Sequence, residues 1–147
     1  MNVLSHENVF LLAGAGLSST AAVLHVLIIF GGANWYRFFG AGEAMAKVAE
    51  AGSVYPGFIT SGIALLLMLW SAYALAGAGL PVLSGLPLIK PALLVITAIY
   101  LLRGMAPLPL WLLAPRQLTP FWLWSSAICT IFGLVHLLGL LQIWRQN

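Results

Sequence analysis

The chain has 147 residues, of which 62% are apolar and only 6% are charged, against about 25% charged residues in an ordinary soluble domain. Six basic and three acidic side chains cannot cover a water-soluble surface, which excludes a soluble globular domain, a disordered chain and a disulfide-rich scaffold. The bases are scattered along the chain, so a nucleic-acid partner is also excluded. The composition therefore predicts an integral membrane protein.

Two long stretches without Asp, Glu, Lys or Arg predict the first two membrane spans. The first span is predicted over 9–31 and ends at a pair of glycines. The second is predicted over 56–78, because proline is tolerated in the first turn of a helix and Pro56 stands at its start. Each stretch supplies the roughly 20 apolar residues that a ~30 Å hydrocarbon core requires.

The connection between these spans predicts a short helix over about 34–51. Asn34 is suited to cap its start. Glu43, Lys47 and Glu50 share one helical face, and Glu43 and Lys47 form an i,i+4 pair. Apolar side chains point towards the other side, so we expect an amphipathic helix that lies on the membrane surface.

The third and fourth spans are predicted over 87–105 and 121–144. Lys90 and Arg103 stand near the two ends of the third span, where both side chains can reach a membrane surface. Tryptophans near both ends of the fourth span match an interfacial aromatic belt. The prolines of the intervening segment do not continue a helix, so residues 107–118 are predicted to lie along the interface or to form a re-entrant loop.

These elements predict an all-α membrane protein, a four-transmembrane-helix bundle with a short interfacial amphipathic helix between the first two spans, as a single domain over 1–147. The connections on one side of the membrane carry Arg37, Lys47, Arg103 and Arg116, and the other side carries Lys90 and Arg145. Because basic loops stay in the cytoplasm, this count favours both termini on the non-cytoplasmic side.

Ionisable residues in or near the spans are the candidate functional residues, because such groups are costly in lipid and normally face protein. His25 follows small residues at intervals of three or four, a face that predicts contact with a neighbouring helix. Tyr100 precedes Arg103 by three positions on one helical face, near the membrane surface where His25 is also expected. The predicted ligand-binding cluster comprises His25, Tyr100, Arg103, Arg37, Glu43 and Glu50.

Two interpretations of this cluster are open. In the first, it is a pocket for an anionic headgroup or a polar ligand. In the second, His25 is a packing residue, Arg103 pairs with a lipid phosphate, and Glu43 pairs only with Lys47. Catalytic residues are not predicted by any motif in the sequence.

His136 and Cys129 form a second intramembrane polar site, again on a face of small residues. His25 and His136 are expected at different depths in the membrane, so they cannot share one metal ion. Cys129 and His136 alone are two ligands, which do not make a structural zinc site. We therefore expect no metal and no cofactor.

Three classes of function fit this composition. The favoured one is a non-enzymatic bundle that binds a membrane lipid or hydrophobic ligand, or serves as a small subunit or protein partner in a membrane complex. The second is a small transporter or channel, which would need a homo-oligomer to enclose a pathway. The third is a membrane-embedded enzyme acting on a lipid-like substrate, with His25 as base and Arg103 and Tyr100 as anion stabilisers.

Four short spans, a histidine late in the first one and the following segment WYRFFGAGE at 35–43 give the chain a resemblance to small bacterial four-span membrane proteins of DoxX-like architecture. The resemblance is architectural, extends over the whole chain and carries over no functional residue. It implies a location in the bacterial inner membrane.

Overall fold

The computed structural model describes residues 7–145, which contain no β-strand and fold into helices. Short 3₁₀ turns occur at Pro81–Leu83 and Pro115–Gln117. The α-helices, in chain order, are α1 (Val9–Phe38), α2 (Glu43–Glu50), α3 (Tyr55–Gly77), α4 (Ile89–Met105), α5 (Pro107–Leu113) and α6 (Pro120–Arg145). This confirms the all-α fold class.

Four helical segments within the described residues are long and apolar enough to cross a membrane: Val9–Phe38, Tyr55–Gly77, Ile89–Leu113 and Pro120–Arg145. The third combines α4 and α5. In the chain, the short helix α2 follows the first of these segments and precedes the second, as expected from the charge pattern of that connection. The chain is therefore an integral membrane protein by the length and composition of its helices.

One difference from the predicted boundaries lies just after the first span. α1 does not end at Gly31 and Gly32 but continues to Phe38. Gly32 has φ +64° and ψ −154°, so the helix is interrupted there. Gly42 has φ +93° immediately before α2. Because glycine adopts positive φ readily, Gly42 divides the region predicted as one helix over 34–51. The first part of that region belongs to α1, so Asn34 lies inside α1 instead of capping a helix.

The chain divides into two compact units. Among the described residues, the first, called unit 1, comprises 7–17 and 70–145, and unit 2 comprises 18–69. In unit 1, α4 and α6 run antiparallel and very close together. A Cβ placed on Gly133 would lie 2.7 Å from Cδ2 of Leu101, so only glycine allows this approach.

The first residues of α1 are fixed to the far end of α6 within unit 1. The Asn8 carboxamide oxygen accepts a hydrogen bond from the Leu11 backbone N–H at 3.1 Å, which caps the helix. The Asn8 amide nitrogen donates to the Gly139 carbonyl at 2.7 Å. A third bond links α3 to α1, from the Ser71 hydroxyl to the Ala15 carbonyl at 2.9 Å.

Unit 2 contains the rest of α1, all of α2 and most of α3. Ile28, Tyr36 and Ala46 form its buried cluster, and Ala46 brings the apolar side of α2 into it. A hydrogen bond of 3.1 Å joins the hydroxyls of Tyr36 and Thr60, so α3 is fixed to α1 beyond the interruption at Gly32. This arrangement positions α2 beside the end of α1.

Candidate functional site

The charged residues of unit 2 form one ionic cluster of Arg37, Glu43 and Glu50. The Arg37 guanidinium binds Glu43 through two hydrogen bonds, Nε to Oε2 at 2.8 Å and Nη2 to Oε1 at 2.9 Å. Its Nη1 donates to Glu50 Oε1 at 2.6 Å. Arg37 thus binds carboxylates at both ends of α2, and one edge of its guanidinium forms a bidentate pair with Glu43.

The same contacts set the ionisation of the two carboxyl groups. Hydrogen bonding to Arg37 holds the pKa of Glu43 and of Glu50 below the usual range, and the positive charge of Arg37 adds to the effect. At neutral pH the three groups therefore carry one net negative charge. The sequence suggested only a Glu43–Lys47 pair or a ligand pocket here, whereas the structure shows a closed ion-pair cluster.

His25 lies in unit 2 on α1, where it is half-buried. Its Nδ1 lies 2.7 Å from the carbonyl oxygen of Ala21, one turn earlier on the same helix. Because a carbonyl only accepts hydrogen bonds, Nδ1 carries a proton and donates it to this oxygen. The imidazole is thus held by its own helix.

An apolar groove runs between α1 and α3 in unit 2. It encloses about 510 Å³, within the roughly 300–1,000 Å³ range of small-molecule sites. Many of its lining side chains are exposed, so the groove opens along the helices. The lining residues are Ala22, Val23, Val26, Leu27, Ile29, Phe30, Ser61, Ala64, Leu65 and Met68.

A second cavity of about 500 Å³ lies next to this groove, and Ile29 lines both. Its lining includes the hydroxyl-bearing residues Tyr36 and Ser53 but no charged side chain. Gly32, where α1 is interrupted, also lines it. The apolar groove and this weakly polar cavity near α2 are thus neighbours.

In unit 1, Tyr100 lies at the centre of an aromatic cluster between α3, α4 and α6. Its ring is 5.0 Å from that of Trp70, 5.4 Å from that of Phe132 and 5.2 Å from that of His136, measured between centroids. Tyr100 and His136 are both buried. The structure thus brings a residue of the first predicted cluster into contact with a residue of the second.

His136 has the same local geometry as His25. Its Nδ1 donates to the carbonyl of Phe132 at 2.8 Å. Nε2 is buried and has no hydrogen-bond partner among the described residues. Cys129, two turns earlier on α6, is half-buried and carries a free thiol.

Arg103 lies in the last turn of α4 and is held by the beginning of α6. Its Nη1 donates to the Ser126 hydroxyl at 2.8 Å and its Nη2 donates to the Ser125 hydroxyl at 2.9 Å. The guanidinium carbon stands 4.4 Å from the ring centroid of Trp122, a cation–π distance. All three partners are neutral.

The backbone of Arg103 explains one of these contacts. Pro107 has no N–H, so the Arg103 carbonyl lacks its partner within the helix. The Ser126 hydroxyl donates to this carbonyl at 3.3 Å while its oxygen accepts from the guanidinium. Pro107 was visible in the sequence. Ser125, Ser126 and Trp122, which contact Arg103, were not among the predicted site residues.

The six residues predicted as one cluster have different partners, and that of His25 is the carbonyl of Ala21 on its own helix. Arg37, Glu43 and Glu50 bind one another, Tyr100 packs on His136, and Arg103 binds serines of α6. Among residues 7–145, no group of three or more His, Cys, Asp or Glu side chains is arranged to hold a metal ion.

Comparison with protein-family models, with curated proteins and with solved structures gave no match for this chain. Its likeness to small membrane proteins thus consists of four long apolar helices. Function must be argued from the groove of unit 2 and from the polar contacts of unit 1.

Proposed function

We propose that this chain is a non-enzymatic integral membrane protein that binds a lipid-like ligand in the groove between α1 and α3. The observation that carries the proposal is the apolar groove of about 510 Å³ with a second cavity at one end. A single acyl chain or polyisoprenoid tail matches an open, apolar groove of this volume. The adjoining cavity would hold the more polar end of the same molecule.

The charge distribution favours a ligand with an uncharged polar end. Arg37 is the arginine of unit 2, and both of its edges are occupied by Glu43 and Glu50. The adjoining cavity offers Tyr36 and Ser53 as polar side chains, with no cation to bind a phosphate. A neutral lipid such as a diacylglycerol therefore fits this end better than an anionic phospholipid.

The location proposed for this activity follows the distribution of basic residues. We propose that the end bearing α2 faces the cytoplasm of a bacterial inner membrane and that both termini lie outside. The support is the larger number of Lys and Arg residues in the connections on that side.

Two adjacent leucines of α3 allow a matched test of the groove. Leu65 lines the groove, while Leu66 lies outside its lining, and the two side chains are 72% and 45% exposed. Leu65→Trp should obstruct the groove, and Leu66→Trp should place the same indole elsewhere on α3. Each variant and the wild type would be purified in maltoside, incubated with didecanoyl glycerol and analysed for retained lipid by native mass spectrometry.

We expect Leu65→Trp to weaken retention of the diacylglycerol by about fivefold or more, since overpacking a filled site costs about 1–3 kcal/mol. Leu66→Trp should retain as much lipid as the wild type. Equal retention by the two variants, or no retention by the wild type, would refute the proposed site.

A further inference from the structure

We propose that Arg103 and the beginning of α6 form a phosphate-binding site in unit 1, separate from the groove of unit 2. The site consists of the Arg103 guanidinium, the hydroxyls of Ser125 and Ser126, and the indole face of Trp122. These groups hold a cation in place without neutralising it. The proposal does not depend on the groove, because every residue in it belongs to unit 1.

The guanidinium retains hydrogen-bonding capacity in this arrangement. It has five N–H donors, of which one on Nη1 and one on Nη2 bind the serines. The remaining three, including Nε–H, have no partner among the described residues. The side chain is half-buried, so it is not sealed inside the interface between α4 and α6.

No acidic side chain of unit 1 can neutralise this charge. Glu7 is the acid of unit 1, and it adjoins Asn8, which binds the carbonyl of Gly139. Gly139 follows Ser126 by 13 positions along α6, which is about 20 Å of helix. At that distance a carboxylate does not pair with the guanidinium, and the two groups lie towards opposite ends of the helix.

Phosphate is the ligand chemistry that best fits this cation. A guanidinium held in one orientation presents parallel N–H groups that match two oxygens of a phosphate. Stacking on Trp122 and bonding to both serines reduce the entropy that the arginine would lose on binding. Arg103 is in the last turn of α4, within the apolar segment Ile89–Leu113.

The phosphate could belong to a lipid or to a soluble phosphate ester, and the test separates these sources. Delipidated protein in maltoside would be titrated calorimetrically with dihexanoyl phosphatidic acid and, separately, with sn-glycerol 3-phosphate. The variants are Arg103→Gln, Arg103→Lys and, as the control, Arg116→Gln. The control removes one positive charge from the 3₁₀ turn Pro115–Gln117, outside the proposed site. Circular dichroism and gel filtration would check the fold of each variant.

We expect Arg103→Gln to weaken binding by about tenfold or more, because it removes the charged donors that would bind the phosphate oxygens. Arg103→Lys keeps the charge but loses the parallel N–H groups of the guanidinium, so its affinity for the probe should fall by about threefold or more. If Arg103→Gln does not fold, the comparison of Arg103→Lys with the wild type decides the test. Arg116→Gln should stay within about twofold of the wild type.

Binding of phosphatidic acid alone assigns the site to a lipid headgroup, and binding of both probes assigns it to phosphate esters in general. Loss of binding in Arg116→Gln equal to that in the Arg103 variants would reduce the effect to net charge and overturn the proposal. It is also overturned if neither probe binds the wild type, or if both Arg103 variants bind as tightly as the wild type.

Discussion

The imidazole of His136 lies directly against the backbone of Gly14. A Cβ on Gly14 would stand 2.8 Å from Cε1 of the ring and 3.1 Å from both ring nitrogens. Both residues are buried. In unit 1, the start of α1 therefore approaches α6 as closely as a glycine permits, which is how small residues promote helix packing in lipid.

Gly14→Ala should destabilise the protein because the added methyl group overlaps the buried ring. We expect a loss of about 1–3 kcal/mol in unfolding free energy. Gly16→Ala is the matched control, since a Cβ there meets no atom within 4 Å, and the better helix propensity of alanine should leave stability unchanged or raise it slightly. Unfolding in mixed micelles with increasing SDS, followed by circular dichroism, would measure both variants.

A double-mutant cycle assigns the loss to this contact. His136→Ala removes the ring, so adding Gly14→Ala to it should cost clearly less than Gly14→Ala alone. If the two losses simply add, or if Gly14→Ala and Gly16→Ala behave alike, the alanine does not act through His136.

Composition alone was sufficient to predict the class of fold. Nine charged residues in 147 leave lipid as the only solvent for most of the chain, and the uncharged stretches set where spans can lie. The sequence also placed Glu43 and Glu50 on one face of a short helix, because a helix repeats every 3.6 residues. Arg37 was close enough in sequence to be named with them.

The partners of Arg103 and His136 could not be predicted in the same way. The spans are apolar on all sides, so hydropathy does not show which face meets protein. Which residue of α6 lies opposite Arg103 depends on the axial register of two antiparallel helices, and that register is set by close contacts such as Gly133 on Leu101. Such contacts depend on side-chain shape, which a hydrophobic pattern does not record.

The attachment of α2 to α1 should weaken in acid. Arg37 lowers the pKa of Glu43 and Glu50 in the folded state, so the ion pairs contribute fully above the usual carboxyl pKa of about 4. Their contribution is lost as the pH falls from there through the lowered pKa values, when the carboxylates become protonated. Amide hydrogen exchange of residues 43–50, corrected for intrinsic rates, should show decreasing protection between about pH 5 and pH 3.

Arg37→Gln provides the control for this pH dependence. Without the guanidinium, α2 should be less protected at neutral pH, and its protection should change little with acid. The side chains are one-third to one-half exposed, so high salt should reproduce part of the effect in the wild type. Protection that is equal at pH 6 and pH 3 in the wild type would contradict the role of these ion pairs.

Tyr36→Phe tests the link between α1 and α3 in unit 2. The substitution removes the hydroxyl that shares a 3.1 Å hydrogen bond with Thr60 and keeps the buried ring. Thr60 retains its 2.8 Å bond to the Pro56 carbonyl, so no polar group is left without a partner, and we expect a loss of only about 0.5–1 kcal/mol. Tyr55→Phe, at a side chain that is 56% exposed, should be neutral in the same SDS titration. If Tyr36→Phe lowers the unfolding free energy by well over about 2 kcal/mol, this hydroxyl supports more than the bond to Thr60. If it causes no loss, the bond does not hold the two helices together.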